Sequence, residues 1–100
     1  MDINIKTTHF DADKKLLDFV QSKVNKLDKY FDGIIRSEVL LNFNKSKKKF
    51  TENKEAKIKI EIPGSDLFAE KGATSFEEAI DLTIDALEKQ VKKYKSKLRP

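Results

Sequence analysis

The chain has 100 residues, of which 38% are hydrophobic, and 21 Lys+Arg against 17 Asp+Glu give it a formal net charge of +4. This length and apolar content suffice for one modest core, so we expect residues 1–100 to form a single domain. Cysteine is absent and His9 is the only histidine, which excludes a disulfide framework and a thiolate metal site. No apolar run is long enough to span a bilayer and the amino terminus lacks a secretion signal, so we expect a cytoplasmic protein.

The first third of the chain predicts a strand and then a helix. Ile3 and Ile5 alternate with polar residues, which predicts a half-buried strand over residues 2–9. Asp13 is a plausible N-cap for a helix that ends near Asp32-Gly33. The apolar stripe of this helix consists of Leu16, Leu17, Val20, Val24, Leu27 and Phe31.

Three further strands are predicted in the middle of the chain. Apolar and polar residues alternate over residues 35–44 and 55–62, so each of these strands has one buried face. Pro63-Gly64 predicts a turn in which the glycine supplies a positive φ, and a short strand follows from Leu67 to about Lys71.

A long amphipathic helix is predicted for the last quarter of the chain. Ser75 and Glu78 have the spacing of a capping box at its start, and apolar residues then keep helical spacing as far as Leu98. The order β-α-β-β-β-α predicts an α+β two-layer sandwich: a four-stranded mixed sheet, its first two strands parallel, with both helices on one face.

The positive charge is concentrated at the carboxyl end of the chain. Residues 89–100 contain six cations and no acid, which leaves the rest of the chain with a net charge of −2. The helix dipole favours cations only in the last turn, whereas closely spaced cations repel one another, so this segment indicates binding of a polyanion. The cations form two rows on the helix, Lys89, Lys93, Lys97 and Lys92, Lys95, Arg99.

Two other groups of cations are candidates for the same role. Lys23 and Lys26 border the predicted groove between the helices, either as RNA contacts or as side chains that cover the edge of the core. The lysine-rich loop 45–49 lies beside Phe50, which could stack on an unpaired base, although such a run is also typical of a solvated loop.

The sequence offers little support for catalysis. A single histidine without cysteine provides no thiolate–imidazole pair, and there is no glycine-rich phosphate loop. We therefore expect no enzyme activity, no metal, no cofactor, no small-molecule substrate and no membrane partner.

Four segments carry a resemblance to a known family. They are Lys26-Leu27-Asp28-Lys29-Tyr30-Phe31-Asp32, Ala79-Ile80-Asp81, Leu87-Glu88-Lys89-Gln90 and Lys93-Tyr94-Lys95-Ser96-Lys97-Leu98. In this order, over nearly the whole chain, they resemble the bacterial ribosome hibernation-promoting factors. That family includes the ribosome-associated inhibitor and the so-called sigma-54 modulation proteins.

The resemblance implies a fold like that of double-stranded-RNA-binding domains, in a cytoplasmic protein that binds the small ribosomal subunit and its rRNA. The implied site is the decoding region, where mRNA and the A- and P-site tRNAs would lie, so that translation is blocked reversibly. Whole ribosomes and ribosome dimers are the further partners that the resemblance implies. The implied RNA-binding residues are Lys89, Lys92, Lys93, Lys95, Lys97 and Arg99, with Lys23 and Lys26 in second rank.

The chain departs from the family pattern in places. Ser75-Phe76-Glu77 stands where many members have Asp-hydrophobic-Tyr, and the lysine-rich loop 45–49 has no counterpart. Because the sequence stops at Pro100, we expect the short form of the family, without the C-terminal domain of long members.

Three alternative functions remain open at this point. A general double-stranded-RNA-binding protein would accept any A-form duplex, so preference for ribosomes over free duplex would separate it. A small α+β enzyme acting on a phosphorylated or acyl substrate would need an arginine-centred anion pocket, and Arg36 and Arg99 are the only arginines. A structural or regulatory protein could bind an acidic protein partner through the same lysines, and its complexes would resist RNase.

Overall fold

The computed structural model describes residues 1–46 and 52–98 and has the predicted order of elements. Each of the four strands and two helices overlaps a segment predicted from the sequence. The elements are β1 (Asp2–Thr8), α1 (Lys14–Asn25), a 3₁₀ turn (Lys26–Lys29), β2 (Arg36–Phe43), β3 (Lys54–Ile62), β4 (Ser65–Ala73) and α2 (Phe76–Leu98).

The strands form one mixed sheet in the order β1-β2-β3-β4. β1 is parallel to β2, with Ile5 opposite Val39, and the other two pairs are antiparallel, with Ile58 opposite both Val39 and Ala69. Side chains alternate between the two faces of a strand, so this register gathers the apolar residues of all four strands on one face of the sheet.

Both helices pack on that apolar face, as the α+β sandwich prediction requires. The buried core combines one stripe of each helix with the inward-facing residues of the strands. Its largest fully buried side chains include Leu27, Leu41, Ile58, Ile60, Ile80 and Leu87. The opposite, open face carries charged and polar residues, together with Leu40 and the half-exposed Phe68.

The first helix ends earlier than its apolar stripe suggests. Asp13 caps α1 as predicted, since its carboxylate accepts a hydrogen bond from the Leu16 N–H at 2.8 Å. The α-helix stops at Asn25, and the tighter 3₁₀ turn continues it as far as Lys29. This turn keeps Leu27 fully buried while it directs the following aromatic residues toward α2.

The fourth strand is longer than predicted. It extends from Ser65 to Ala73 and pairs with β3 from Ile62 back to Lys54. Because β4 is hydrogen-bonded along the whole of β3, it includes polar residues whose intrinsic strand preference is weak. The turn itself is as predicted, because Gly64 has a φ of 77°.

The start of α2 confirms the expected cap. Ser75 Oγ accepts a hydrogen bond from the Glu78 N–H at 3.1 Å. Phe76 is buried and stacks on Phe10 with ring centroids 4.2 Å apart, so this position belongs to the core. Within residues 1–46 and 52–98, no helix has the length and apolar character needed to cross a membrane.

Candidate nucleic-acid interface

The charges of α2 are divided between its two halves. Residues 76–88 contain five acids and no cation, whereas residues 89–98 contain five lysines and no acid. This division agrees with the helix dipole, which favours acids in the first turn and cations in the last. The dipole explains only the outermost residues, so the middle of the basic half needs another explanation. The acids are Glu77, Glu78, Asp81, Asp85 and Glu88.

The basic half of α2 extends past the core. Val91 is the last buried residue of the helix, and the seven residues that follow it add about 10 Å of helix. Tyr94 secures this extension: its ring meets Phe31 edge-on at 5.5 Å, and its hydroxyl donates a hydrogen bond to the Pro63 carbonyl at 3.3 Å. The lysines around Tyr94 therefore stand on a supported helix rather than a frayed end.

Three lysines form an exposed row along the basic half of α2, which we call the outer lysine row: Lys89, Lys93 and Lys97. Their four-residue spacing places them along one side of the helix, away from α1. All three are exposed, and none is paired with an acid in the part of the chain that the structure describes. Their ammonium groups are therefore exposed to solvent and unpaired within the described residues.

The second predicted row differs from the outer lysine row, because its first lysine is paired with an acid. Lys92 Nζ lies 2.9 Å from Glu88 Oε1 and 5.0 Å from the centre of the Tyr30 ring. A hydrogen bond from Lys92 holds the pKa of Glu88 below its usual range, and the same bond raises the pKa of Lys92. Lys95 is only half-exposed and lines a depression of about 240 Å³ with Lys29 and Tyr30. Arg99 lies outside the described residues.

The second-rank lysines lie where the two helices meet. Lys23 Nζ is 3.2 Å from Asp81 Oδ1 of α2 and 5.4 Å from the centre of the Phe19 ring. Lys23 therefore bridges the helix groove, as its predicted position suggested, and its charge is already balanced. Lys26 is exposed at the start of the 3₁₀ turn.

The lysine-rich loop is described only at its edge. Lys45 is exposed in the turn that follows β2, whereas residues 47–50, with the other lysines and Phe50, lie outside the described residues.

Two acids at the interface were not identified from the sequence. Glu88 stands four residues before Lys92, a spacing at which helix residues pair, so the sequence contained a signal for it. Asp81 meets Lys23 only because the sandwich brings α1 against α2. No local pattern could have shown that contact.

The arrangement suits binding of phosphates rather than covalent chemistry. Exposed ammonium groups on a supported helix can each neutralise a phosphate and release its counterion. Across residues 1–46 and 52–98, no group of three or more His, Asp or Glu residues is placed to hold a metal ion.

Comparison with known proteins gives one consistent result. Residues 3–99 match the model of the family described as Sigma 54 modulation protein / S30EA ribosomal protein. The chain is 34% identical to the ribosome hibernation promotion factor of Bacillus subtilis, covering 98% of this chain but 50% of that protein. It is 31% identical to the ribosome hibernation promoting factor of Escherichia coli K12, covering 99% of this chain and 98% of that one. The chain thus spans about half of the first relative and nearly all of the second.

Solved structures share the fold. The N-terminal domain of Thermus thermophilus Protein Y matches with a TM-score of 0.80 at 28% identity, over 94% of this chain and 99% of that one. A ribosomal subunit interface protein from Coxiella burnetii matches with a TM-score of 0.83 at 24% identity, over 96% of this chain and 99% of that one. The second likeness concerns the fold alone.

Proposed function

This chain belongs to the sigma 54 modulation protein / S30EA ribosomal protein family, and from that premise we propose that it is a ribosome hibernation factor. It binds the small ribosomal subunit at the decoding region, over the path of mRNA and of the A- and P-site tRNAs, and inhibits translation reversibly. Residues 1–100 act in the cytoplasm as one ribosome-binding domain, without catalysis. The names of the relatives support the hibernation role.

The observation that carries the proposal is the outer lysine row on the basic half of α2, whose end Tyr94 supports. Lys89, Lys93 and Lys97 are exposed along one side of a helix that projects past the core. Lysine is a compact point charge without the fork of arginine, so such a row suits the phosphate backbone more than base edges. An interface of this kind is sensitive to salt and therefore reversible.

The remaining candidates are proposed in a graded order. Lys95 adds positive charge on the same helix and Lys26 adds it at the start of the 3₁₀ turn, and Arg99 follows the helix in the sequence. Lys92 and Lys23 contribute less to binding, because each must first break its ion pair with an acid of α2 before it can contact a phosphate. Bound in this way, the domain would exclude mRNA and tRNA by occupying their space, which requires no chemical step.

The test is co-sedimentation with purified small ribosomal subunits over a salt series. We expect saturable binding by the unchanged protein. Replacing Lys89, Lys93 and Lys97 by Gln should weaken it and reduce the slope of log K against log salt by about 2 to 3, since each phosphate contact contributes about 0.7 to 0.9. The same variant should inhibit in-vitro translation less.

A matched control removes three exposed lysines elsewhere. Lys6, Lys15 and Lys71 lie on β1, α1 and β4 and carry the same total charge. Their replacement by Gln should leave the salt slope unchanged. If both triple variants lose equal affinity, net charge rather than the outer lysine row governs binding, and the assignment of the site is wrong.

Two further arms test the finer parts of the proposal. Excess free A-form duplex should fail to displace the protein from subunits, whereas efficient displacement would favour a general double-stranded-RNA-binding protein. Promotion of ribosome dimers belongs to the same proposal, and sucrose gradients would show it as a species heavier than single ribosomes.

A further inference from the structure

Two lysines in the groove between α1 and α2, Lys92 and Lys23, are held by acids of α2. Lys92 meets Glu88 at 2.9 Å and Lys23 meets Asp81 at 3.2 Å. Glu88 follows Asp81 by seven positions, which is close to two helical turns, so both lie on the flank of α2 that faces α1. Each lysine also lies over an aromatic ring, Tyr30 or Phe19. The groove therefore repeats one arrangement of acid, lysine and ring.

We infer that Glu88 and Asp81 limit the affinity of this interface for RNA by holding Lys92 and Lys23 away from phosphates. The inference rests on the proposed function and concerns the regulation of the same site. Removal of either acid should free a lysine to contact RNA and should lower the rate at which the protein dissociates from the ribosome.

The geometry of Glu88 supports this role most directly. The Lys92 side chain is 59% exposed, so a phosphate can reach it, whereas that of Glu88 is only 26% exposed. A phosphate that binds Lys92 must replace the ion pair between Lys92 and Glu88. It must also approach the negatively charged Glu88 carboxylate, which repels it. The hydrogen bond from Lys92 lowers the pKa of Glu88, so this carboxylate stays ionised at neutral pH.

A purely structural role for Glu88 predicts a different outcome. The pair with Lys92 has the spacing of a helix-stabilising ion pair, and on that view its loss would lower stability and leave affinity unchanged. Thermal unfolding and RNA affinity measured on the same variant therefore separate the two roles.

The experiment compares Glu88→Gln with Asp85→Asn by co-sedimentation with small subunits at several salt concentrations. Asp85 is exposed on the same helix, and no described cation pairs with it, so its replacement removes the same charge without releasing a lysine. We expect Glu88→Gln to bind roughly twofold to fivefold more tightly than Asp85→Asn, the range that exchange of one exposed ion pair allows. Its salt slope should be steeper by about 0.7 to 0.9, which is one additional phosphate contact.

A second variant shows whether Lys92 carries the gain. Lys92→Gln combined with Glu88→Gln should lose the added affinity and return to the shallower slope, because the released ammonium is gone. Asp81→Asn should behave like Glu88→Gln, with the gain removed by Lys23→Gln.

The outcomes of these measurements are distinct. Binding by the unchanged protein, with Glu88→Gln equal to or weaker than Asp85→Asn, would overturn the inference and leave the proposed function standing. A gain that persists without Lys92 would also overturn it. Failure of the unchanged protein to bind subunits would overturn the proposed function, and the inference with it.

Discussion

Arg36 and Glu61 face each other across the pair of strands β2 and β3. The Arg36 Nε and Nη2 atoms donate to the two carboxylate oxygens at 3.1 and 3.2 Å, a forked contact that suits a guanidinium. Lys59 adds a second cation at 3.7 Å. The hydrogen bond from Arg36 lowers the pKa of Glu61, against a smaller opposing effect of burial.

The lowered pKa of Glu61 makes stability depend on pH in one direction. The contribution is present above the pKa of an unfolded glutamate, about 4.3, and is lost as pH falls through the lower value of the folded state. Glu61→Gln should therefore reduce the free energy of unfolding at pH 7 and have a smaller effect at pH 3. Urea denaturation at both pH values measures this.

Asp11→Asn is a suitable control for Glu61→Gln. Asp11 is exposed between β1 and α1, outside the strand pair that carries Arg36 and Glu61. An effect of Glu61→Gln that is equal at the two pH values would contradict the assignment to the ionised pair with Arg36.

At the scale of elements, the hairpin of β3 and β4 depends on a two-residue turn. Ile62 pairs with Ser65, so Pro63 and Gly64 make the whole connection. Proline presets the first turn position, and Gly64 takes a φ of 77°, which L-residues with a Cβ rarely adopt. Nothing lies within 4 Å of a Cβ added at Gly64, so any cost of a side chain there arises from the backbone conformation.

We expect Gly64→Ala to lower the free energy of unfolding by about 1 to 2 kcal/mol, the cost of a left-handed residue with a Cβ. Gly64→Asn should cost less, because asparagine tolerates this region better. Urea denaturation gives both values. Ser65→Ala, at an exposed neighbouring position, serves as the control. If Gly64→Ala lowers the free energy of unfolding no more than Ser65→Ala does, a residue with a Cβ is not strained at position 64.

The whole molecule has two faces with different charge. On the open face of the sheet, Lys59 lies 3.6 Å from Glu38 and Lys57 lies 3.9 Å from Glu70, so these cations are balanced. The helix side carries the outer lysine row, whose cations are free of such partners within the described residues. The molecule is 19 Å thick along its shortest axis, whereas charges are screened over about 8 Å at physiological salt.

This separation predicts that the open face contributes little to ribosome binding. Glu38→Gln combined with Glu70→Gln adds two units of positive charge on the open face of the sheet, opposite the helices. At 0.15 M salt, affinity for small subunits should change by less than about twofold, while at 0.01 M, where screening extends to about 30 Å, it should rise clearly. Co-sedimentation at the two salt concentrations checks this, and a change above about fivefold at 0.15 M would mean that the open face also contacts the ribosome.

Much of the architecture is determined by the sequence alone, because the local spacing of apolar residues indicates which segments are strands and which are helices. Alternation around Ile58 and three- and four-residue spacing around Leu87 specify a strand and a helix without reference to the rest of the chain. Gly64 in the turn and Ser75 at the cap act on their own neighbours. The concentration of lysines after Glu88 is likewise visible by composition.

The tertiary structure alone decided the features that depend on residues far apart in the chain. β4 lengthens because β3 offers hydrogen bonds along its whole length, and α1 gives way to a 3₁₀ turn that keeps Leu27 in the core. Packing of the helices brings Lys23 to Asp81 and Lys92 over Tyr30, so two predicted RNA-binding lysines are already engaged. The periodicity of apolar residues shows which face of an element is buried. Which charged residues pair across the groove depends instead on how the elements pack against one another.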